Sequence, residues 1–405
     1  MKASVAVNQR AQKRLQSGNL WVYKSDIPDA AKYDELKDGS IVDITDGQGK
    51  FLARGYFNGK SQISLRVLSY VKDENIDSIF IQKRITAAIA KRRRHFDFNK
   101  TRILRLVHSE ADLLPGFIAD MFGDVIVVQS LSAGAERFLK DAVACIQKEL
   151  KPQSVFIKND AGVRRLEGLE SYCTWEGRSL SGPQKVTSDG IHYLIDFSGG
   201  QKTGFFADQR RAYDLLAHNV TGGRFLDCCS YSGAFSMNAF MHGAGSSVLV
   251  DISADAIALA KETAKLNGCY DKCEFVVANA FDYLKENYYA SKKGGLRNED
   301  KFDFIVLDPP TFTKSKAALP KALAGYKELM LRAAELVKKP GKILSCSCSF
   351  HVGIDDFYRS QCDAFSDARA TAYTLSCGFQ DERDHPMLTS MPETLYLKYF
   401  LFEIV

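Results

Sequence analysis

Leu226-Asp-Cys-Cys-Ser-Tyr-Ser-Gly-Ala-Phe235 governs the reading of the chain, because three later segments fall into step behind it. It is a short apolar run closed by Asp227, followed by a small-residue turn through Ser230 to Gly233 and an apolar helical start. Val248-Leu-Val-Asp251 and Phe304-Ile-Val-Leu-Asp-Pro-Pro310 are further apolar runs, each leading into an acid. Ile343-Leu-Ser-Cys-Ser-Cys-Ser349 is a fourth run with a polar end. Strands that alternate with helical segments and carry polar ends describe a doubly wound α/β sheet. Its ligand is expected beyond those ends. The turn lacks G-x-G-x-x-G, which argues against a nicotinamide cofactor.

With 405 residues the chain exceeds one ordinary core, so two or three domains are expected. Residues 1–72 read as all-β, with short β-rich runs separated by the turn signals Asp46-Gly47 and Asn58-Gly59. Residues 73–183 read as an α+β middle domain. It includes a helix from Ile79 to His95, strands at Arg102–Val107, Phe117–Asp120, Val125–Gln129 and Ser154–Ile157, a turn at Leu114–Phe117, and a helix from Glu136 to Leu150. Residues 184–405 carry the regular βα alternation, interrupted by a polar loop at 291–300.

Net charge is +5, but residues 1–110 hold 21 Lys/Arg against 12 Asp/Glu, leaving the remainder slightly acidic. A basic front half on a near-neutral body points to a polyanionic partner, most simply nucleic acid. The run Lys91-Arg-Arg-Arg-His95 reads equally well as a solvated helix end beside the helix dipole or as a nucleic-acid contact. No signal peptide and no apolar run long enough to span a bilayer is apparent, so the expected location is cytoplasmic, away from any membrane. Ten scattered cysteines read as reduced thiols, with Cys228 and Cys229 as packing residues beside the turn. Cys269 and Cys273 have a metal-like spacing but no second pair follows, so no metal site is expected.

The order and chemistry of the strand ends resemble a class I S-adenosylmethionine (SAM) methyltransferase, a Rossmann-like fold. The resemblance implies that Asp227, Ser230, Tyr231 and Gly233 meet the amino-acid end of SAM. It implies that Asp251, beside Ile252, accepts the ribose hydroxyls, and that Asn279 and Ala280 meet the adenine. Related enzymes often carry Asp where Asn279 stands, but the Asn carbonyl can still accept from the adenine amino group. Taken singly, Asp227 and Asp251 could equally cap the helices that follow them. Upstream, Gly200-Gln-Lys-Thr-Gly-Phe-Phe-Ala-Asp-Gln-Arg-Arg211 resembles the lead-in motif of one RNA methyltransferase family, which implies cofactor contacts from Phe206, Gln209 and Arg210.

Two enzyme classes use a D-P-P loop like Asp308-Pro-Pro-Thr-Phe312. Amino-group methyltransferases place an aromatic directly after the prolines to stack on the base; here Thr311 intervenes and Phe312 comes one place late. Carbon-5 of a pyrimidine needs a thiolate added at C6 before it can attack a methyl sulfonium. Cys348, at a strand end beside that loop, suits this role, with Asp308 able to bond a base edge. Cys346, two residues earlier, lies on the same side of the strand but deeper, and reads as a core thiol.

With the lead-in, the Ser-Tyr-Ser-Gly turn, D-P-P-x-F, S-C-S and the closing His385-Pro386 and Leu395-Tyr-Leu-Lys398, the chain resembles the bacterial 23S ribosomal RNA cytosine-C5 methyltransferases of the large-subunit methyltransferase I type. The start, through Gly18–Tyr23 and Asp46–Gly55, resembles a PUA domain, a compact RNA-binding β-barrel. The resemblance implies SAM as cofactor, 23S rRNA as substrate and a homodimer. It also implies an α/β methyltransferase domain preceded by a small PUA-like β-barrel and an α+β middle domain. Two other readings stay open: an amino-group RNA methyltransferase acting through Asp308 and Phe312, and a non-catalytic RNA-binding protein that retains SAM affinity.

Overall fold

A computed structural model describes residues 3–220, 222–294, 297–313 and 315–405. Of the polar loop at 291–300, residues 295 and 296 lie outside the described residues. The chain forms two compact units. The first comprises residues 1–189, 196–207 and 382–394; the second comprises 190–195, 208–381 and 395–405.

The first unit holds two five-stranded sheets. Strands Ser40–Thr45, Phe51–Phe57 and Leu65–Ser69 form an antiparallel meander, with Ser4–Ala6 added in parallel at one edge and Trp21–Val22 at the other. Asp46 makes the expected turn, its Oδ1 accepting from the backbone N–H groups of Gln48 and Lys50 at 2.9 Å each. Asn58 is buried, and donates to the Glu167 carboxylate at 2.9 Å. Arg66 meets the same carboxylate through two bonds of 3.0 and 2.8 Å.

The second sheet runs Ile103–His108, Phe117–Phe122, Val125–Ser130, Ser154–Asn159 and Tyr172–Gly177 in sequential order. The helix expected over Glu136–Leu150 is two, Ala133–Arg137 and Leu139–Leu150, broken at Phe138. Helix Ser78–Arg93, capped by Asp77, buries Phe80, Ile81, Ile85 and Ile89 in one core with Leu104, Leu106 and Ile126.

The basic run at the end of that helix divides. Arg93, Arg94 and His95 are exposed, whereas Arg92 is fully buried. Arg92 donates to the Arg105 carbonyl, the Asp112 carboxylate and the Asp384 carbonyl at 2.9, 2.7 and 2.7 Å. The returning segment 382–394 thus docks on this unit, and the ring of His385 lies edge-on to that of His108 at 5.0 Å.

The second unit is built on one seven-stranded sheet. Numbered along this unit, its strands are β1 (Arg224–Cys228), β2 (Ser246–Asp251), β3 (Cys273–Val277), β4 (Phe302–Leu307), β5 (Val337–Ser347), β6 (Ala372–Phe379) and β7 (Lys398–Ile404). The spatial order is 3-2-1-4-5-7-6. β1 to β5 are parallel, while β7 runs antiparallel between β5 and β6. Helices α1 (Arg210–Asn219), α2 (Ala234–Met241), α3 (Ala254–Leu266), α4 (Ala280–Lys292), α5 (Leu319–Leu336) and α6 (Ile354–Ala368) alternate with them.

The apolar runs read from the sequence form the sheet interior: Leu226, Val248, Val250, Ile305, Leu307 and Ile343 are buried together, joined by Phe402 of β7. Strand order reverses between β1 and β4, and a crevice opens beyond the carboxyl ends at such a switch point. Register sets the ends level. Asp251 pairs with Val277, Cys228 with Leu307, and Leu307 with Ser345.

Candidate active site

The first strand end is a strained turn. Cys229 and Tyr231 take left-handed φ of 63° and 47°, and Gly233 follows at 82°. Non-glycine residues in this region cost free energy and persist where the surroundings require them. At Gly233 a Cβ would come within 2.8 Å of Leu249, so only glycine fits as α2 begins. The turn is tied down by Ser230 N–H on the Val250 carbonyl and Tyr231 N–H on Asp251 Oδ2, at 3.0 and 2.9 Å.

Asp227 is fully buried, its Oδ2 accepting from Ser236 N–H at 3.0 Å and Ser236 Oγ at 2.8 Å. The cap role open to Asp227 is therefore realised at one oxygen. Among the described residues its Oδ1 is buried without a partner, and so are the hydroxyls of Ser230 and Ser232. Burial pushes the Asp227 carboxyl up to about 7, against the Ser236 bonds. Orphaned buried polar atoms around a tight backbone turn suit a ligand with a polar, donor-bearing end, such as the methionine moiety of SAM.

Asp251 lies half-buried at the next strand end. Its two oxygens accept from Tyr231 N–H and Ser253 N–H at 2.9 Å each, leaving further lone pairs for ligand hydroxyls. The cap of α3 is Ser253, not Asp251. Ile252 stands 70% exposed beside it, an apolar face at the sheet end. Asn279 caps α4 through its carbonyl, which accepts from Phe281 N–H at 2.9 Å, and Ala280 is buried behind it.

Gln209 and Arg210 enter from the lead-in. The Gln209 amide donates to Asp308 Oδ1 at 2.8 Å, so it joins the D-P-P loop. Arg210 and Arg211 both reach the buried Asp381, at 3.7 and 3.8 Å. Phe206 belongs to the first unit, where the Lys202 ammonium lies over its ring at 4.5 Å.

At the other side of the crevice β5 ends at Ser347, and Cys348 follows, half-buried. Its Sγ lies 3.2 Å from Thr311 Oγ1 and 3.9 Å from the Pro309 carbonyl, both in the D-P-P loop. Cys346 is wholly buried, and burial pushes its thiol well up. Phe312 is packed against Tyr326 and Phe281, with ring centroids 4.6 and 5.7 Å apart, and its N–H donates to Ser349 Oγ.

Two contacts of this corner are not legible in the motifs. The hydroxyl of Tyr326, buried on α5, bonds both Ser347 Oγ and Ser349 Oγ, at 2.9 and 3.0 Å, and so pins the residues on either side of Cys348. Lys398, first residue of β7, is buried and donates to the Ser349 carbonyl at 2.8 Å. Cys229 packs against the core of this unit, as expected, and burial raises its thiol. The Tyr326 and Lys398 contacts are set by tertiary packing, so the local sequence, which holds Lys398 in the Leu395–Lys398 motif, does not mark them.

Among the described residues no group of three or more His, Cys, Asp or Glu is placed to hold a metal ion, and no helix is long and apolar enough to cross a membrane.

Residues 5–70 match a family described as a PUA-like domain, and residues 163–368 match one described as an S-adenosylmethionine-dependent methyltransferase. The chain is 36% identical to the ribosomal RNA large subunit methyltransferase I of Alteromonas mediterranea, covering 100% of this chain and 99% of that one. It is 33% identical to the protein of the same name from Klebsiella pneumoniae, covering 97% and 96%. Among solved structures it is similar to a SAM-dependent methyltransferase from Streptococcus mutans, with TM-score 0.80 and 21% identity over 99% of this chain and 100% of that one. A methyltransferase solved with SAH superposes with TM-score 0.82, also at 21% identity, over 99% and 100%.

Proposed function

The chain belongs to the ribosomal RNA large subunit methyltransferase I family, a SAM-dependent class, and from that premise we propose that it methylates C5 of a cytosine in 23S rRNA through a covalent adduct on Cys348. SAM supplies the electrophilic methyl group. The observation that carries the reading is the Cys348 thiol, half-buried and held against the D-P-P loop beyond the sheet end. The thiolate adds to C6, and C5 takes the methyl group as the sulfonium becomes a thioether. The C5 proton then leaves to a base and the Sγ–C6 bond breaks, returning the thiolate. Asp308, held by Gln209, bonds the base edge.

On the cofactor side, Asp227, Ser230, Tyr231 and Gly233 hold the amino-acid end. Asp251 takes the ribose hydroxyls, and Ile252, Asn279 and Ala280 border the adenine. Arg210 completes the cofactor contacts implied by the lead-in motif within the second unit; Phe206, which the motif also implies, belongs to the first. The packing of Phe312 under Tyr326 weighs against the amino-group reading, which needs an aromatic offered to the base.

Transfer of label from methyl-labelled SAM to 23S rRNA, followed by nucleoside analysis, tests the proposal. The expected product is 5-methylcytidine. Cys348→Ala should abolish its formation while leaving S-adenosylhomocysteine affinity intact, and Cys346→Ala should keep activity. Methylation by Cys348→Ala at the wild-type rate would contradict the covalent route.

A further inference from the structure

β5 does not lead straight into α6. Its last residue, Ser347, is followed by Cys348 and then by a tight turn in which Val352 N–H donates to the Ser349 carbonyl at 3.1 Å. Phe350 and His351 are the two central residues of that turn. Such positions favour glycine, proline, asparagine, aspartate or serine, whose backbones or short polar side chains suit a turn. Here they carry two aromatic rings.

The ends of the turn are held, and its apex is not. Ser349 is fully buried, and its Oγ bonds Phe312 N–H and the Tyr326 hydroxyl at 3.0 Å each. Its carbonyl also accepts from Lys398 Nζ at 2.8 Å. Val352 is buried in the core of this unit. Between these anchors Phe350 stands 47% exposed. Among the described residues its ring meets one other ring, that of His351, edge-on with centroids 5.3 Å apart. Phe312, the aromatic of the D-P-P loop, is by contrast packed against Tyr326 and Phe281. Neither core packing nor turn chemistry accounts for a phenyl ring at position 350.

We propose that Phe350 is an RNA-binding residue that stacks on the rRNA base next to the target cytosine. The proposal rests on Cys348, two residues before it, being the nucleophile. A thiolate reaches C6 from one face of the pyrimidine and the methyl group reaches C5 from the other, so the cytosine must leave its stack. Both faces of the target are then occupied, and the base beside it has lost a stacking partner. An exposed ring on a turn held at both ends replaces that partner. Only two side-chain torsions have to be fixed, and every base offers a π-face to such a ring.

The test separates stacking from apolar bulk. Full-length enzyme is compared with Phe350→Ala, Phe350→Leu, Phe350→Tyr and Phe350→Trp, each shown to bind S-adenosylhomocysteine as wild type does. Binding to 23S rRNA is measured with S-adenosylhomocysteine in place of SAM, and KM and kcat are measured with SAM. Phe350→Ala should weaken rRNA binding and raise KM roughly five- to a hundredfold, the worth of one stacked base. The stack is made before and during reaction alike, so kcat should hold. The slope of binding against log salt should also hold, because no phosphate contact is lost. Phe350→Leu, which keeps bulk without a π-face, should fall with Phe350→Ala, while Phe350→Tyr and Phe350→Trp should stay near wild type. Wild-type binding by Phe350→Ala or Phe350→Leu, or a loss in Phe350→Tyr and Phe350→Trp as large as in Phe350→Ala, would overturn the proposal. The binding measurement involves no methyl transfer, so its outcome is independent of the covalent route, which Cys348→Ala decides separately.

Discussion

At the scale of single residues, position within a few ångströms separates chemistry from packing. Cys346 and Cys348 share a side of β5, yet Cys346 is sealed in the core while Cys348 clears the strand end and meets Thr311. Two-residue periodicity and the location of the D-P-P loop make this legible in the sequence. Asp251 is legible in the same way, as an acid closing a strand. Its second task, anchoring the strained turn through Tyr231, is not, because that bond joins residues 20 apart across two strands. Asp251→Ala therefore removes both a ligand acceptor and a turn anchor. Removing one charge-assisted hydrogen bond costs about 1.5–3 kcal/mol, which lowers affinity for S-adenosylhomocysteine roughly ten- to a hundredfold. Calorimetry checks this, and wild-type affinity in a folded variant would remove Asp251 from the site.

At the scale of elements, the site is a set of strand ends whose directions are fixed by neighbours. Alternation of apolar runs with helices is enough to read the strands β1, β2, β4 and β5 and the polar residues at their ends. Tyr326 stays hidden because on an amphipathic helix it reads as one more apolar position, and only packing brings its hydroxyl to Ser347 and Ser349. Lys398 closes the Leu395-Tyr-Leu-Lys398 motif, but its bond to Ser349 is not legible there, because which end of β7 reaches Ser349 depends on its being antiparallel. The lead-in motif implies a cofactor contact for Gln209, and the bond of its side chain to Asp308 ties it also to the D-P-P loop. Tyr326→Phe should leave two buried serine hydroxyls short of a partner, at about 1–3 kcal/mol. Its melting temperature should fall by several degrees and kcat should drop, while S-adenosylhomocysteine affinity stays unchanged. Thermal unfolding and single-turnover methyl transfer would show both; an undiminished kcat would mean that the pinning of Ser347 and Ser349 is immaterial to Cys348.

At the scale of the molecule, charge is divided as the chemistry is. The basic excess lies in residues 1–110, within the first unit, while the strand ends proposed to hold SAM belong to the second. Counting charges along the sequence reveals the asymmetry but not its internal split. Arg92 is a structural cation inside the first unit, bonded to Arg105, Ala88, Asp112 and Asp384, while Lys13, Lys50 and Lys72 are exposed. Deleting residues 1–70 would strand Glu167 without Arg66 and Asn58, so neutralisation is the cleaner probe. Changing Lys13, Lys50 and Lys72 to Gln should weaken rRNA binding and leave SAM affinity unaltered. The slope of binding against log salt should flatten by nearly one for each phosphate that is no longer neutralised. An identical salt slope would place the RNA elsewhere. The most direct test of the account brings the intact enzyme to its RNA: 23S rRNA carrying 5-fluorocytosine is incubated with the enzyme and SAM, and the products are resolved by denaturing electrophoresis and mass spectrometry. Fluorine at C5 cannot leave as a proton does, so the account predicts a stable RNA–protein adduct mapped to Cys348 and absent from Cys348→Ala. Full methyl transfer to unsubstituted rRNA with no adduct on the fluorinated RNA, or an adduct on another residue, would contradict it.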